Sequence, residues 1–348
     1  MNSVNSKTSL RKKEQIELCL TDNVAFKDKT TGFENYEFKH YAITEVEIDR
    51  IKFETNFFGK KISYPFFISC MTGGTGEAEG INSQLAIIAE NLNIPIGVGS
   101  QRQALENKDF VESFWIVRKN APHVPVLSNI GAAEIVKFKN IDPVLKIIDM
   151  VSADVLVIHV NPLQELLQEE GEPDFKGLLK KIKYISKRIA VPVIVKEVGS
   201  GISKEAAEKL LDAGVKGIDV AGAGGTSWAG VEILRSKKSN RKKFWDWGLP
   251  TSYCIKDVSK LKKDYKFTLI GSGGINNGMD IAKALALGAD VAASARIILQ
   301  HLEKYGVDGT SKLINAMFDE VKEVMFLTGS VTIKDLRKGK LIKKAELT

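Results

Sequence analysis

Cysteine is scarce: Cys19, Cys70 and Cys254 are the only three in 348 residues. They are far apart and odd in number, so no disulfide framework or zinc spacing can be drawn, and a reducing, cytoplasmic compartment is expected. Long apolar runs are missing as well, and the start is polar rather than basic and then apolar. Neither a membrane span nor a secretory leader is expected. No aromatic-basic recognition module accompanies the net charge of +7. The lysines fall on expected helix faces and in one run, Arg235 to Lys243, which reads as a solvated loop. A nucleic acid partner is therefore not expected, and anionic small ligands explain the bias.

With 44% hydrophobic and 27% charged residues, the chain can bury a full core. Residues 1–10 are polar and expected to be mobile, and Arg11-Lys12-Lys13-Glu14-Gln15 opens an amphipathic segment through Leu20. Residues 36–62 alternate in pieces about a turn at Gly59-Lys60-Lys61 and read as antiparallel strands capping a barrel bottom.

From Tyr64 a regular pattern begins. Strands are expected at 65–70, 95–99, 124–129, 153–160, 192–198, 217–221, 267–271 and 290–294. Helices are expected between them at 78–92, 109–119, 141–150, 174–188, 203–213, 252–263 and 278–287, with a last one at 308–327. Roughly eight strand-helix units predict an α/β fold, a TIM (β/α)8 barrel with an N-terminal extension and a C-terminal helical tail. One domain covers the chain: an arm and capping strands over 1–63, the barrel core over 64–300, and the last helix and tail over 301–348. The long connection 222–250, with Trp228, Trp245 and Trp247, reads as a partly ordered lid.

Two glycine turns follow strands, Gly222 to Thr226 and Gly271 to Gly274. Such turns expose consecutive N–H groups that can hold phosphate oxygens. The other strand ends are polar and converge on one barrel face. Strand alternation puts His159 and Asn161 on one side, with Gln164 and Glu165 in the loop beyond. Glu165 is a candidate Mg²⁺ ligand, since that ion is commonly held by one or two carboxylates plus substrate phosphates. Lys196 sits at a buried strand end, where an ammonium is costly unless an anion faces it. A pair with Glu197 is the bland alternative, weakened because neighbouring strand residues point apart. Arg102 and Arg296 suit phosphate, or a helix carboxylate. Cys70 reads as packing.

Laid out in order, M-T-G-G-T at 71–75, G-S-Q-R at 99–102, N-I-G-A at 129–132, H-V-N-P-L-Q-E at 159–165, A-G-A-G-G-T-S-W at 221–228 and S-G-G-I at 272–275 resemble the type 2 isopentenyl-diphosphate isomerases, an FMN-dependent family. The resemblance runs from Arg11-Lys12 to Ala295-Arg296. It implies FMN held by Met71, Thr72, Gly73, Ser100, Asn129, Lys196, Thr226, Gly274, Ile275, Asn276, Ala295 and Arg296. It also implies substrate contacts from Arg11, Lys12, Arg102, His159, Asn161 and Gln164, with Lys196, His159 and Gln164 as catalytic groups and Glu165 holding Mg²⁺ on a diphosphate. Reduced FMN would carry the proton, with NADPH only as its initial reductant, and the enzyme would be a homo-tetramer or homo-octamer. Two positions depart from the family pattern. Gln15 stands where histidine is usual, and Asn276 where arginine often follows G-G-I.

The alternative within this barrel class is an FMN-dependent 2-hydroxy-acid oxidoreductase, which needs a histidine base after the glycine turns. His40, His123, His159 and His301 all lie elsewhere. On the same resemblance, Arg11 and Lys12 are expected to fold onto the diphosphate, ordering only when substrate binds.

Overall fold

The computed structural model describes residues 7–21, 24–236 and 239–347. Residues 1–6 of the polar start, and Lys237 and Lys238 of the basic run, lie outside the described residues. Three short strands come first: β1 (Tyr36–Phe38), β2 (Thr55–Phe57) and β3 (Lys60–Ile62). Eight parallel strands follow: β4 (Phe66–Ile68), β5 (Ile96–Gly97), β6 (Val126–Gly131), β7 (Val155–Val160), β8 (Val193–Glu197), β9 (Gly217–Asp219), β10 (Thr268–Ser272) and β11 (Val291–Ser294). They close in sequence order, β11 pairing with β4, so the barrel is the expected one. The last strand, β12, spans Leu341–Lys343.

Side-chain alternation divides the barrel interior into storeys. Phe67, Leu127, Val155, Val157, Ile194 and Ile270 fill the lower part, together with Phe57 and Ile62 of the β2–β3 hairpin. The hairpin thus plugs the bottom, and the Phe58 ring packs into the room left where Gly217 has no side chain. Only the polar storey above remains open to a ligand. The outer faces of the strands pack against the helices in a second, larger apolar cluster, as strands buried on both sides require.

Several local expectations are corrected. The hairpin turns at Phe58 and Gly59, both at positive φ, while Lys60 and Lys61 already belong to β3. Tyr36–Phe38 does not join the cap; β1 pairs antiparallel with β12, a partner about three hundred residues away. The connection 222–250, read as a partly ordered lid, holds regular structure. It contains a helix, Trp228–Ser236, that buries Ala229 and Ile233 with Leu167 and Trp245. Trp245 lies against Gly230, and its carbonyl accepts the Ser227 hydroxyl at 2.6 Å. The final helix starts at Arg296 rather than 308, and Gly306 at φ 65° breaks it into two runs. Arg235, expected in a solvated run, is ion-paired with Glu14 at 2.9 Å and Glu232 at 2.6 Å.

Candidate active site

One register row sets the chemistry of the open storey. Gly131 pairs with His159, His159 with Lys196, and Lys196 with Asp219 across β6 to β9. Residues paired in register share a face, so His159, Lys196 and Asp219 all turn inward above the apolar layer. Lys196 Nζ donates to the Glu197 carbonyl at 2.7 Å and stands 3.8 Å from Asp219 Oδ2. The anion that a buried ammonium needs is therefore Asp219, which no local feature of the sequence singled out. The Glu197 carboxylate points away and accepts the backbone N–H groups of Val198, Gly199, Ser200 and Gly201. Cys70 lines the cavity beside this row, and burial pushes its thiol up to about 12. A thiol so disfavoured as thiolate is packing, as expected, rather than a nucleophile.

His159 is held in one tautomer. Asn129 Nδ2 donates to the Val98 carbonyl at 3.1 Å, so Asn129 Oδ1, 2.9 Å from His159 Nδ1, is an acceptor. The proton is thereby assigned to Nδ1, and Nε2 offers a lone pair. Burial, with Lys196, Lys12 and Arg11 nearby, lowers His159 to about 4, so it is neutral in ordinary buffer. Asn161 Nδ2 donates at 3.0 Å to both Gln164 Oε1 and Glu165 Oε1. Its own Oδ1 is buried without a partner.

The N-terminal helix, Lys7–Cys19, lies across this mouth. The helix is tied to the rim. Lys12 Nζ donates to the carbonyls of Gly73 at 2.6 Å and Ser100 at 3.1 Å. Gln15 Nε2 donates to Glu232 Oε1 at 2.8 Å, an oxygen shared with Gln164 Nε2 at 3.2 Å. Glu232, 1% exposed, thus joins helix and substrate loop. Arg102 pairs with Glu106 at 2.8 Å and Glu134 at 2.7 Å. Arg11 Nε is buried with no partner. Burial, together with the Arg11 and Arg102 charges, lowers Lys12 to about 7. In the free enzyme Lys12 is an ammonium below that pH and loses its proton above it. Accordingly kcat/KM for an anionic substrate is expected to fall as pH rises through about 7, and Lys12→Arg to move that descending limb upward. A limb unmoved in Lys12→Arg would assign it to another group.

Across the mouth, the two glycine turns touch. A Cβ on Gly225 would lie 2.4 Å from the Gly274 nitrogen, and one on Gly273 2.2 Å from the Gly222 carbonyl oxygen. Residues 24–26 brace the first turn: Ser227 N–H donates to Val24 O at 2.7 Å and Phe26 N–H to Gly225 O at 3.2 Å. Arg296 opens the final helix beside them, and its Nη1 is buried with no partner. Two side-chain-free turns, a helix N-terminus and an unanswered guanidinium nitrogen suit a phosphate monoester such as that of FMN. Gly225→Ala is expected to part the turns and weaken FMN binding at least about tenfold, roughly 1.4 kcal/mol; fluorescence titration checks this, and unchanged affinity would move the phosphate elsewhere.

One cavity of about 1740 Å³, its open mouth included, is lined by Lys12, His159, Lys196, Arg296 and the glycine turns, while Asp219 and Glu232 are not on its wall. The expected flavin-holding residues are all on its wall except Ile275. The Ile275 side chain is in the core, and its carbonyl accepts the Ser294 hydroxyl at 2.8 Å. Thr72 lines the wall, but its hydroxyl proton goes to Asn82 at 2.6 Å, leaving only acceptor capacity for a ligand. Every expected substrate residue, and Glu165, is on the same wall. Asp219, Glu232 and Glu134 were missed; each is one acidic residue among many until the register brings it to a cation. Among the described residues no group of three or more His, Cys, Asp or Glu side chains forms a metal cluster, and no helix is long and apolar enough to cross a membrane.

Comparison with known proteins agrees with this geometry. The model of the FMN-dependent dehydrogenase family matches residues 7–113 and 153–343. An isopentenyl-diphosphate delta-isomerase of Pelodictyon phaeoclathratiforme is 45% identical over 98% of this chain and 99% of its own. One from Nostoc is 43% identical over 96% of each chain. Among solved structures, a Pediococcus acidilactici protein described as a lactate oxidase superposes with a TM-score of 0.71 at 17% identity, covering 98% of this chain and 95% of that one. A flavocytochrome b2 superposes with a TM-score of 0.70 at 18% identity, covering 94% and 82%. These two speak to the barrel alone. With near-full-length identity to the isomerases, the chain belongs to the FMN-dependent dehydrogenase family and, within it, to the isopentenyl-diphosphate delta-isomerases.

Proposed function

We propose that this protein interconverts isopentenyl and dimethylallyl diphosphate with FMN as cofactor and Mg²⁺ on the substrate diphosphate. The observation that carries the proposal is a mouth with two anion sites. The glycine turns and Arg296 stand at the ends of β9 to β11, while across the mouth Lys12 sits on the carbonyls that follow β4 and β5, Arg102 reaches Glu134 after β6, and Arg11 lies on the same helix as Lys12. One phosphate site suits the flavin, the other a diphosphate.

The reaction adds a proton at one carbon of the alkene and removes one from another, with no net redox change. Bound reduced FMN supplies that proton chemistry. The protein's own residues position, neutralise and exclude water. Arg11 and Lys12 answer the diphosphate charge, and Asn161, whose Nδ2 already serves Gln164 and Glu165, keeps an Oδ1 without a partner. The N-terminal helix covers the mouth and raises the worth of each charge by thinning the water. His159, neutral with Nδ1–H fixed on Asn129, offers Nε2 as an acceptor.

Glu165 would hold Mg²⁺ as a single carboxylate, with substrate oxygens supplying the remaining ligands. Oε1 accepts Asn161 Nδ2 at 3.0 Å and Oε2 accepts Glu172 N–H at 2.9 Å, so its orientation is fixed in advance. Glu165→Gln is expected to raise the Mg²⁺ concentration needed for half-maximal rate by about tenfold or more, and chelation to stop the wild type; a metal-independent rate would remove Mg²⁺ from the scheme.

NADPH is the proposed reductant, serving only to prime the flavin. A cytoplasmic site of action fits three free cysteines, and assembly as a homo-tetramer or octamer is testable by light scattering. A 2-hydroxy-acid oxidoreductase is disfavoured because the histidine on the cavity wall among the described residues, His159, lies in β7 rather than after the glycine turns, and burial lowers it to about 4, which makes it a weak base. Mixing the protein with FMN, NADPH, Mg²⁺ and isopentenyl diphosphate should give the dimethylallyl isomer. A flavin-loaded protein that makes none, yet reduces its flavin with a 2-hydroxy acid, would reverse the choice.

A further inference from the structure

The row that carries Lys196 ends in a carboxylate with no part in the scheme above. Asp219 is wholly buried, 0% exposed, at the barrel axis side of β9. Its Oδ1 accepts the Ser272 hydroxyl at 2.5 Å. Its Oδ2 has no hydrogen-bond partner, and Lys196 Nζ is 3.8 Å away, close enough to feel the charge and too far to bond. The Lys196 proton goes instead to the neutral Glu197 carbonyl at 2.7 Å. The other titratable groups facing this row are Cys70, whose burial keeps it a thiol, and His159, whose burial keeps it neutral. Lys12 and Arg11 lie further up the mouth.

A lysine placed between a carboxylate beside it in the row and an open cavity divides its charge between them. We propose that Asp219 is a positioning residue that limits how strongly Lys196 stabilises negative charge on the reduced flavin, and so sets the flavin's reduction potential. This rests on FMN occupying the cavity. Reduction takes two electrons from an external reductant, such as dithionite, and one proton from water, and turns the neutral oxidised ring into a monoanion. No bond to the protein forms or breaks. The more of its charge Lys196 spends on Asp219, the less the anion gains and the lower the potential. An anion held too tightly is a weak base, so the restraint is of use where protons must be taken up as well as released.

The test is a set of midpoint potentials measured by dye equilibration on FMN-loaded wild type, Asp219→Asn, Lys196→Met and the double variant. Asp219→Asn should raise the potential by at least a tenfold change in the reduced-to-oxidised ratio, about 30 mV for a two-electron couple. Lys196→Met should lower it. In the Lys196→Met background the Asp219→Asn shift should shrink to less than half, because the effect acts through the lysine. Equal shifts in both backgrounds would make Asp219 a mere background charge and overturn its positioning role. A lowered potential in Lys196→Met with none in Asp219→Asn would overturn it too, while leaving the flavin site intact. If even the wild type takes up no FMN, the cofactor assignment itself fails. Should Asp219→Asn not fold, Ser272→Ala decides. It keeps the charge but removes the competing hydrogen bond, so the potential should fall; a rise would overturn the inference.

Discussion

Lys196→Ala is expected to lower kcat/KM by on the order of 10²–10³, about 2.7–4 kcal/mol of lost charge stabilisation. A unit charge pair about 4 Å apart at an effective dielectric near 20 is worth about 4 kcal/mol before desolvation, which sets the scale. Two effects add in this protein. The cavity loses the ammonium on its floor, and Asp219, 0% exposed, is left without the cation that faces it at 3.8 Å. The second effect makes reduced, anionic flavin harder still to hold, so its affinity should fall more than that of oxidised FMN. Equilibrium titrations of both flavin forms, beside steady-state rates, check this. An alanine variant that held reduced FMN as tightly and turned over as fast would end the role given to Lys196.

Removing residues 1–12 should raise KM by about a hundredfold, roughly 2.7 kcal/mol, and lower kcat, while FMN content stays as in the wild type. Two cations are lost from the diphosphate side, each charge-assisted contact being worth about 1.5–3 kcal/mol. The fall in kcat comes from the lost cover, since Lys12 bridges the carbonyls of Gly73 and Ser100 across the rim. Because Gly73 and Ser100 are also among the residues expected to hold the flavin, FMN content is the informative control. A truncated protein that kept its KM would show that the helix is a structural strap only; one that lost its FMN would show that the strap serves the cofactor.

The two expectations about the N-terminal segment illustrate what a local pattern carries. Arg11 and Lys12 were legible as cations at the start of an amphipathic stretch, but nothing nearby says what they face. The answer depends on Glu232, more than two hundred residues on, which takes Gln15 and Gln164 on one oxygen and Arg235 on the other. Glu232 is one turn inside a helix where a loop was expected. Of the three tryptophans read as part of a partly ordered lid, Trp245 fills the gap beside Gly230.

What the amino-acid order determined by itself was the barrel and the address of its mouth. Apolar runs recurring with helical stretches between them leave few ways to bury both strand faces, and glycines or polar residues at each strand end mark one rim. What only the tertiary structure decided was which charge meets which. Strand register is fixed by packing around the whole ring. That ring puts Asp219 against Lys196, turns Glu197 outward onto its own loop, and sends the Ile275 side chain into the core instead of the cavity. Pairwise contacts of this kind fall between residues on different strands, and no spacing along one strand encodes them.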